Sequence, residues 1–171
     1  MYNQDKLKEF YDQDVERRAS LKVHDWKQME RGRFLEEIQR DNAETLLELG
    51  AGTGKHSLFF MERDLDVTAV DLSEGMVKHC QNKGVNAKQM DFMQLEFPDQ
   101  SFDAVYALNS LLHTPKRDLE NVLQGIKRIM KPNALFYMGV YGGKDFEGIL
   151  EEDTFEPKRF YAYYKTQNIL E

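Results

Sequence analysis

The chain has 171 residues, with 23 Lys and Arg against 30 Asp and Glu and a formal charge of −7. That length suits one domain with a self-sufficient core, and the acidic balance speaks against indiscriminate binding to a phosphate backbone. The single cysteine, Cys80, excludes an intrachain disulfide framework and a Cys-rich zinc site, and no apolar run approaches the roughly 20 residues that span a bilayer. With no signal-peptide pattern at Met1–Asp5, the expectation is a soluble cytoplasmic domain with no membrane or nucleic-acid partner.

Residues 1–42 are charge-rich, with apolar residues at Leu7, Phe10 and Tyr11 and then at Trp26, Met29, Phe34 and Ile38. These spacings predict two amphipathic helices broken near Ser20–Asp25, with Trp26 in the core. Thr45–Leu49 is a short apolar run ending in the cluster Gly50-Ala51-Gly52-Thr53-Gly54, and a helix follows. Asp66–Asp71 reads as a strand and Ser73–Lys83 as a helix with Ser73 as N-cap. Val85–Met90 and Phe102–Ala107 are the next strands, Lys116–Met130 a helix stopped by Pro132-Asn133, and Leu135–Tyr141 a fifth strand. Strands alternating with long helices imply βαβ units, hence an α/β, doubly wound, Rossmann-like parallel sheet of five strands with helices on both faces. The expected divisions are a helical cap at 1–42, a core at 43–142 and a tail at 143–171.

A glycine loop between a first strand and a helix is where such a fold binds a nucleotide-like ligand. A phosphate loop needs G-x-x-x-x-G-K-[ST], but position 49 is Leu and position 56 is His. A dinucleotide fingerprint needs a third Gly where Lys55 stands. The pattern acidic-x-G-x-G-x-G is met at every fixed position by Glu48–Gly54.

That segment resembles motif I of class I S-adenosylmethionine (SAM) dependent methyltransferases, especially the small-molecule methyltransferase-domain group. The likeness runs from about Thr45 to Tyr141. It takes in Asp71 at the end of the second strand, Asp91-Phe92 after the third, F-D-x-V at Phe102–Val105, and Lys131-Pro132 before the fifth. The resemblance implies SAM as cofactor. Glu48 would engage its ammonium, directly or through water. Gly50, Ala51, Gly52 and Gly54 would let the backbone approach, and Asp71 would hold the ribose. Asp91 would bond the adenine amino group with Phe92 over the ring, and Leu72 and Met76 would form the opposite wall. Leu108 and Tyr11 complete the expected cofactor set, Tyr11 from a leading helix that closes over SAM in related enzymes.

The segment after the fourth strand, Leu108–His113, faces the methyl group in this family. It is neither the Asn-Pro-Pro-Tyr/Phe signature of amino-methylating DNA enzymes nor a Pro-Cys pair, which speaks against those DNA enzymes, and the resemblance implies a small-molecule acceptor. His113 is the candidate catalytic base, its ordinary pKa near 6.5 suiting that role, with packing beneath a loop as the competing reading. Tyr11, His24 and Tyr141 are further candidates for the acceptor pocket. The four histidines show no metal-ligand spacing, so no metal is expected. Two rival readings are a non-catalytic SAM-binding or interaction module and, disfavoured by Lys55, a dinucleotide-dependent oxidoreductase.

Related methyltransferases have a seven-stranded sheet, whereas 30 residues follow Tyr141 here. The resemblance therefore implies that the last two strands are missing, and Thr166–Glu171 reads as the start of a helix. Leu135–Tyr141 becomes an apolar edge. It is expected to be covered by Phe160–Tyr164 or by the same edge of a second copy, a homodimer.

Overall fold

The computed structural model describes residues 2–165; the helix start expected at Thr166–Glu171 lies outside them. Three helices lead: α1 (Gln4–Gln13), α2 (Val15–Ser20) and α3 (Asp25–Arg40). The core follows as β1 (Thr45–Leu49), α4 (Lys55–Met61), β2 (Asp66–Asp71), α5 (Glu74–Asn82), β3 (Asn86–Gln89), β4 (Phe102–Leu108), a 3-10 turn (Leu111–His113), α6 (Lys116–Ile129) and β5 (Met130–Gly139). A hairpin of β6 (Phe146–Ile149) and β7 (Phe160–Tyr163) comes last.

The five core strands are all parallel, in the order β3-β2-β1-β4-β5. The order reverses between β1 and β4, and ligands bind at the carboxyl ends of strands beside such a switch point. Period-two alternation splits each strand between two layers. Leu46, Val67, Ala104 and Tyr106 meet Phe34, Leu35 and Ile38 of α3 and Phe60 of α4. Leu47, Leu49, Val105 and Ala107 meet Val122, Ile126 and Ile129 of α6. Each such apolar side chain contributes about 1.5–3 kcal/mol on full burial.

Asp103 locks the start of the sheet. Its carboxylate accepts bonds from the Thr45 hydroxyl at 2.7 Å and the Thr45 N–H at 2.9 Å, and pairs with Lys131 at 2.9 Å. Burial raises its pKa, but the Lys131 and Thr45 bonds outweigh that and hold it down to about 2.

Some expectations are corrected. The leading segment breaks a second time at Asp14, whose buried carboxylate takes Arg17 at 2.5 Å and Arg18 at 2.8 Å and ends α1. Trp26 is 45% exposed rather than in the core, because α3 turns Phe34, Leu35 and Ile38 inward. β5 starts straight after α6, with Pro132 inside it; Asn133 at φ +65° and a register shift opposite Phe102–Ala104 absorb the turn. The aromatic tail does not run along β5. β7 pairs antiparallel with β6, and the tail meets the chain just past β5, where Phe160, Ala162 and Tyr164 pack on Val140 and the Tyr164 N–H donates to the Tyr141 carbonyl at 3.3 Å.

Candidate functional site

A cavity of about 420 Å³ lies at the carboxyl ends of β1, β2 and β4. Its floor is the glycine loop. The Gly50 and Ala51 amides donate to the Val70 carbonyl at 2.8 and 3.1 Å, and Gly50, Gly52 and Gly54 all have positive φ. A side chain on Gly50 would run into Ser110 of the β4 turn, whereas a Cβ on Gly52 would meet nothing within 4 Å. Gly52 therefore opens onto free space, while Gly50 seats the loop against its neighbour.

Asp71 stands at the end of β2. One carboxylate oxygen accepts the Gly52 N–H at 2.8 Å and the other the Ser73 N–H at 2.9 Å. Burial pushes its pKa up against those two bonds. Ser73 caps α5 as expected, accepting from Met76 N–H at 3.0 Å. Asp12 of α1 docks there, accepting from the Ser73 hydroxyl at 2.6 Å and Gly75 N–H at 2.9 Å. The Lys55 ammonium ties the cap from the other side, donating to the carbonyls of Arg18 and Leu21. The lysine that spoils the dinucleotide fingerprint thus fastens the helical cap to the loop.

The cavity wall includes Gly50, Ala51, Gly52, Asp71, Leu72, Asp91, Phe92, Leu108, Tyr11 and His113, with His24 at the cap. Asp91 already carries a partner from the cap, the Gln4 amide at 2.6 Å. Four candidates fall elsewhere. Glu48 is 2% exposed on the Leu46 face of β1, beneath the loop, and accepts the Ser57 hydroxyl; burial pushes its pKa to about 8. It is placed to support the loop rather than to touch a ligand in the cavity. Gly54 caps α4 against Cys80, where a Cβ would come within 2.9 Å of the sulfur. Met76 is fully buried under α5. Tyr141 is 43% exposed and packs edge-on against Tyr163.

His113 is buried and held at both ring nitrogens. Nδ1 lies 2.7 Å from the Phe160 carbonyl and Nε2 2.7 Å from the Tyr11 hydroxyl. A carbonyl only accepts, so Nδ1 carries the proton and Nε2 receives the Tyr11 O–H. Burial pushes the His113 pKa down to about 4, the Phe160 carbonyl opposing this and Arg159 and Arg18 reinforcing it. The ring is therefore neutral near pH 7, with Nε2 turned toward Tyr11, and it is a weaker base than the ordinary histidine the sequence suggested.

Several wall residues were not singled out from the sequence: Arg18, Lys22, Lys27, His56, Asn109 and Ser110. Asn109 and Ser110 sit in the segment expected to face the methyl group, which was their signal. The cations read as ordinary charges of a solvated helix.

A family profile described as a methyltransferase domain matches residues 46–133. The chain belongs to the methyltransferase-domain family. Sterol 24-C-methyltransferase of Aspergillus fumigatus is 34% identical over 105 residues, covering 56% of this chain and 27% of that protein. The 27-O-demethylrifamycin SV methyltransferase of Amycolatopsis mediterranei is 31% identical over 103 residues, covering 55% of this chain and 37% of that one. The chain thus matches well under half the length of these curated relatives. Among solved structures, DhpI in its complex with SAM and HEP aligns over 96% of this chain and 84% of its own, with TM-score 0.73 and 18% identity. The PH0226 protein of Pyrococcus horikoshii aligns over 88% and 81%, with TM-score 0.68 and 19% identity. These two likenesses show the fold: this chain's five parallel strands and flanking helices form a Rossmann-like methyltransferase sheet.

SAM is the cofactor of this family, and the cavity suits it. Gly52 leaves open space over the loop, with nothing within 4 Å of where a Cβ would stand. Three polar atoms of wall residues, His56 Nδ1, Asn109 Nδ2 and Ser110 Oγ, are buried without a hydrogen-bond partner. Buried polar atoms are rarely left unpaired without a ligand or water to meet them.

Proposed function

We propose that the chain transfers a methyl group from SAM to a small-molecule acceptor. What carries this reading is one cavity that joins the glycine loop and Asp71 to the Tyr11–His113 pair. When bound, SAM supplies a sulfonium-activated methyl group. Asp71 and Asp91 would hold the ribose and adenine, with Leu72 and Phe92 as apolar walls. Gly50, Ala51, Gly52 and Leu108 would line the rest of the cofactor's path.

Displacement at a methyl carbon needs close approach and exclusion of water. The cap supplies both: Asp12 docks α1 on α5 and Lys55 holds the end of α2. An acceptor O–H or N–H must also lose a proton. Tyr11 faces the cavity with its hydroxyl donated to a neutral His113. As the new bond to carbon forms, the acceptor proton passes to the Tyr11 oxygen and the tyrosine proton to His113 Nε2. His113 is thus the base and Tyr11 the group that touches substrate.

In this reading residues 1–42 form the cap, 43–142 the SAM-binding core, and the tail from 143 buttresses His113 through the Phe160 carbonyl. The charge of −7 favours a small acceptor over nucleic acid. We place the activity in the cytoplasm and pair two copies through the β5 edge.

Calorimetry and a methylation screen across a metabolite panel test the reading. S-adenosylhomocysteine is expected to bind and raise the melting temperature, while NAD is not. Asp71→Ala is expected to weaken binding by about 1.5–3 kcal/mol, the worth of a charge-assisted bond. Cofactor binding without any turnover would turn the assignment toward a SAM-binding module.

A further inference from the structure

The cavity wall carries a group of cations that the cofactor reading does not use up. Arg18 of α2, Lys22 in the connection to α3, Lys27 in the first turn of α3 and Lys55 at the start of α4 all line it. With Arg117 they make five cations on a wall that carries three carboxylates, Asp71, Asp91 and Asp118. Among the described residues Arg18 makes its ion pair with Asp14, which is already shared with Arg17, and it also acts at longer range on Asp71. Lys55 donates to two neutral carbonyls. Among the described residues, neither Lys22 nor Lys27 has a carboxylate within ion-pair distance, although Lys27 is half-buried. His56 lies on the same wall with its Nδ1 buried and unpartnered.

This grouping is unusual in a chain with seven excess negative charges. It also costs stability. Burial and the charge of Arg18 lower the Lys27 pKa, and burial with Lys83 and Arg18 lowers that of Lys55. Burial, then Arg31, Lys27 and Lys55, push His56 down to about 3. Like charges lining a concave wall focus a positive field into it.

SAM alone does not balance that field. Its one carboxylate would take one cation, while its sulfonium and ammonium add positive charge. A second anion is the complement. We propose that the methyl acceptor carries an anionic oxygen group, a carboxylate or a phosphoryl, held by Lys22 and Lys27 with Arg18 and Lys55 behind them. His56 would supply a neutral hydrogen bond to the same group. The anion is a handle rather than the nucleophile: it orients the acceptor so that a separate O–H or N–H reaches Tyr11. That atom bonds to the methyl carbon, the carbon–sulfur pair stays on sulfur, and the proton leaves through Tyr11 to His113. The proposal rests on the methyltransferase reading for its chemistry, but the anion subsite is testable without it.

The test is calorimetric titration of inorganic phosphate and, separately, malonate into the full chain, with and without saturating S-adenosylhomocysteine. The double variant Lys22→Gln/Lys27→Gln serves as control, its fold checked by circular dichroism. Binding of either probe to both forms, weakened tenfold or more in the variant, supports the subsite. Binding to the free protein alone, displaced by S-adenosylhomocysteine, overturns it, because the cations then serve the cofactor's own carboxylate. Absence of binding in both forms also overturns it. Failure of S-adenosylhomocysteine to bind, with probe binding intact and lysine-dependent, counts against the cofactor reading and for the anion subsite. In the methylation screen, acids are expected to be turned over at least tenfold better than their neutral amides; equal turnover contradicts the proposal.

Discussion

The Tyr11 hydroxyl, on the first helix, lies 2.7 Å from Nε2 of His113, 102 residues further along the chain. The contact joins the cap to the turn after β4, and the Phe160 carbonyl, 2.7 Å from Nδ1, fixes the tautomer. A buried imidazole has both nitrogens paired whether it packs or reacts, so the variants below separate the two roles.

If this pair moves the acceptor proton, Tyr11→Phe and His113→Asn should each lower kcat by about 10²–10⁴, the usual worth of a positioned acid–base group. S-adenosylhomocysteine affinity should change little in either variant. The double variant should be no worse than the slower single one, since the two act as a unit. Steady-state kinetics beside calorimetry decides this. Losses that multiply in the double variant would separate the two residues.

The same histidine makes the fold acid-sensitive. In the unfolded chain it takes a proton near its ordinary 6.5, but in the folded chain only near 4. Between those values the unfolded state binds more protons, so stability falls as pH drops through that window. His56, pushed down to about 3, acts in the same direction. The His113 share alone is on the order of 3 kcal/mol. Glu48 acts oppositely: raised from 4.5 to about 8, it weakens the fold as pH rises across that range. Denaturant melts at pH 4.5 and 6.5 should show His113→Asn losing less on acidification than the parent chain. Melts at pH 6 and 8.5 should show Glu48→Gln losing less on the alkaline side. A parent chain equally stable throughout, with both variants parallel to it, would contradict the two assignments.

The parallel sheet was legible because its signals are local. Val67 sits between Asp66 and Thr68 in a short β-branched run, Ser73 announces a helix, and Gly50–Gly54 fixes the first turn. Much of the cavity wall followed, since the ends of β1, β2 and β4 must lie at the switch point. The face of β1 that Glu48 occupies was not legible from motif spacing; alternation with Leu47 and Leu49 turns it under the loop with Leu46. The β6–β7 hairpin was not legible. Its strands are four residues each, with Leu150–Arg159 between them, so no tight-turn signature marks the pairing. The bond from Phe160 to His113 spans 47 positions and was hidden for the same reason.

Gly50 and Gly52 separate structural from ligand constraints. Both have positive φ, so Ala at either is strained by roughly 1–2 kcal/mol. Gly50→Ala adds a collision with Ser110, whereas Gly52→Ala meets open space. Thermal melts should show Gly50→Ala as the more destabilised. Gly52→Val should remain folded while losing S-adenosylhomocysteine binding at least a hundredfold. Normal binding by that folded variant would show that no ligand passes over Gly52.

The outer edge of β5 sets the last expectation. Leu135–Gly139 pairs with β4 through Ala104–Leu108. Both faces are covered, Leu135 and Tyr137 by one cluster and Phe136, Met138 and Val140 by the other. The far edge has no strand beside it among the described residues. Phe160, Ala162 and Tyr164 pack on Val140, and the single bond from Tyr164 to Tyr141 lies beyond the strand end. An uncovered edge is a template for pairing with another chain, and two copies meeting about a two-fold axis present the same strand to each other. Light scattering over a hundredfold concentration range should therefore show a monomer–dimer equilibrium. Hydrogen exchange at 135–139 should slow as the dimer forms, confined to amides that point away from β4. A monomer at every concentration, with those amides exchanging freely, would rule out edge pairing and leave β5 guarded only at its Val140 end.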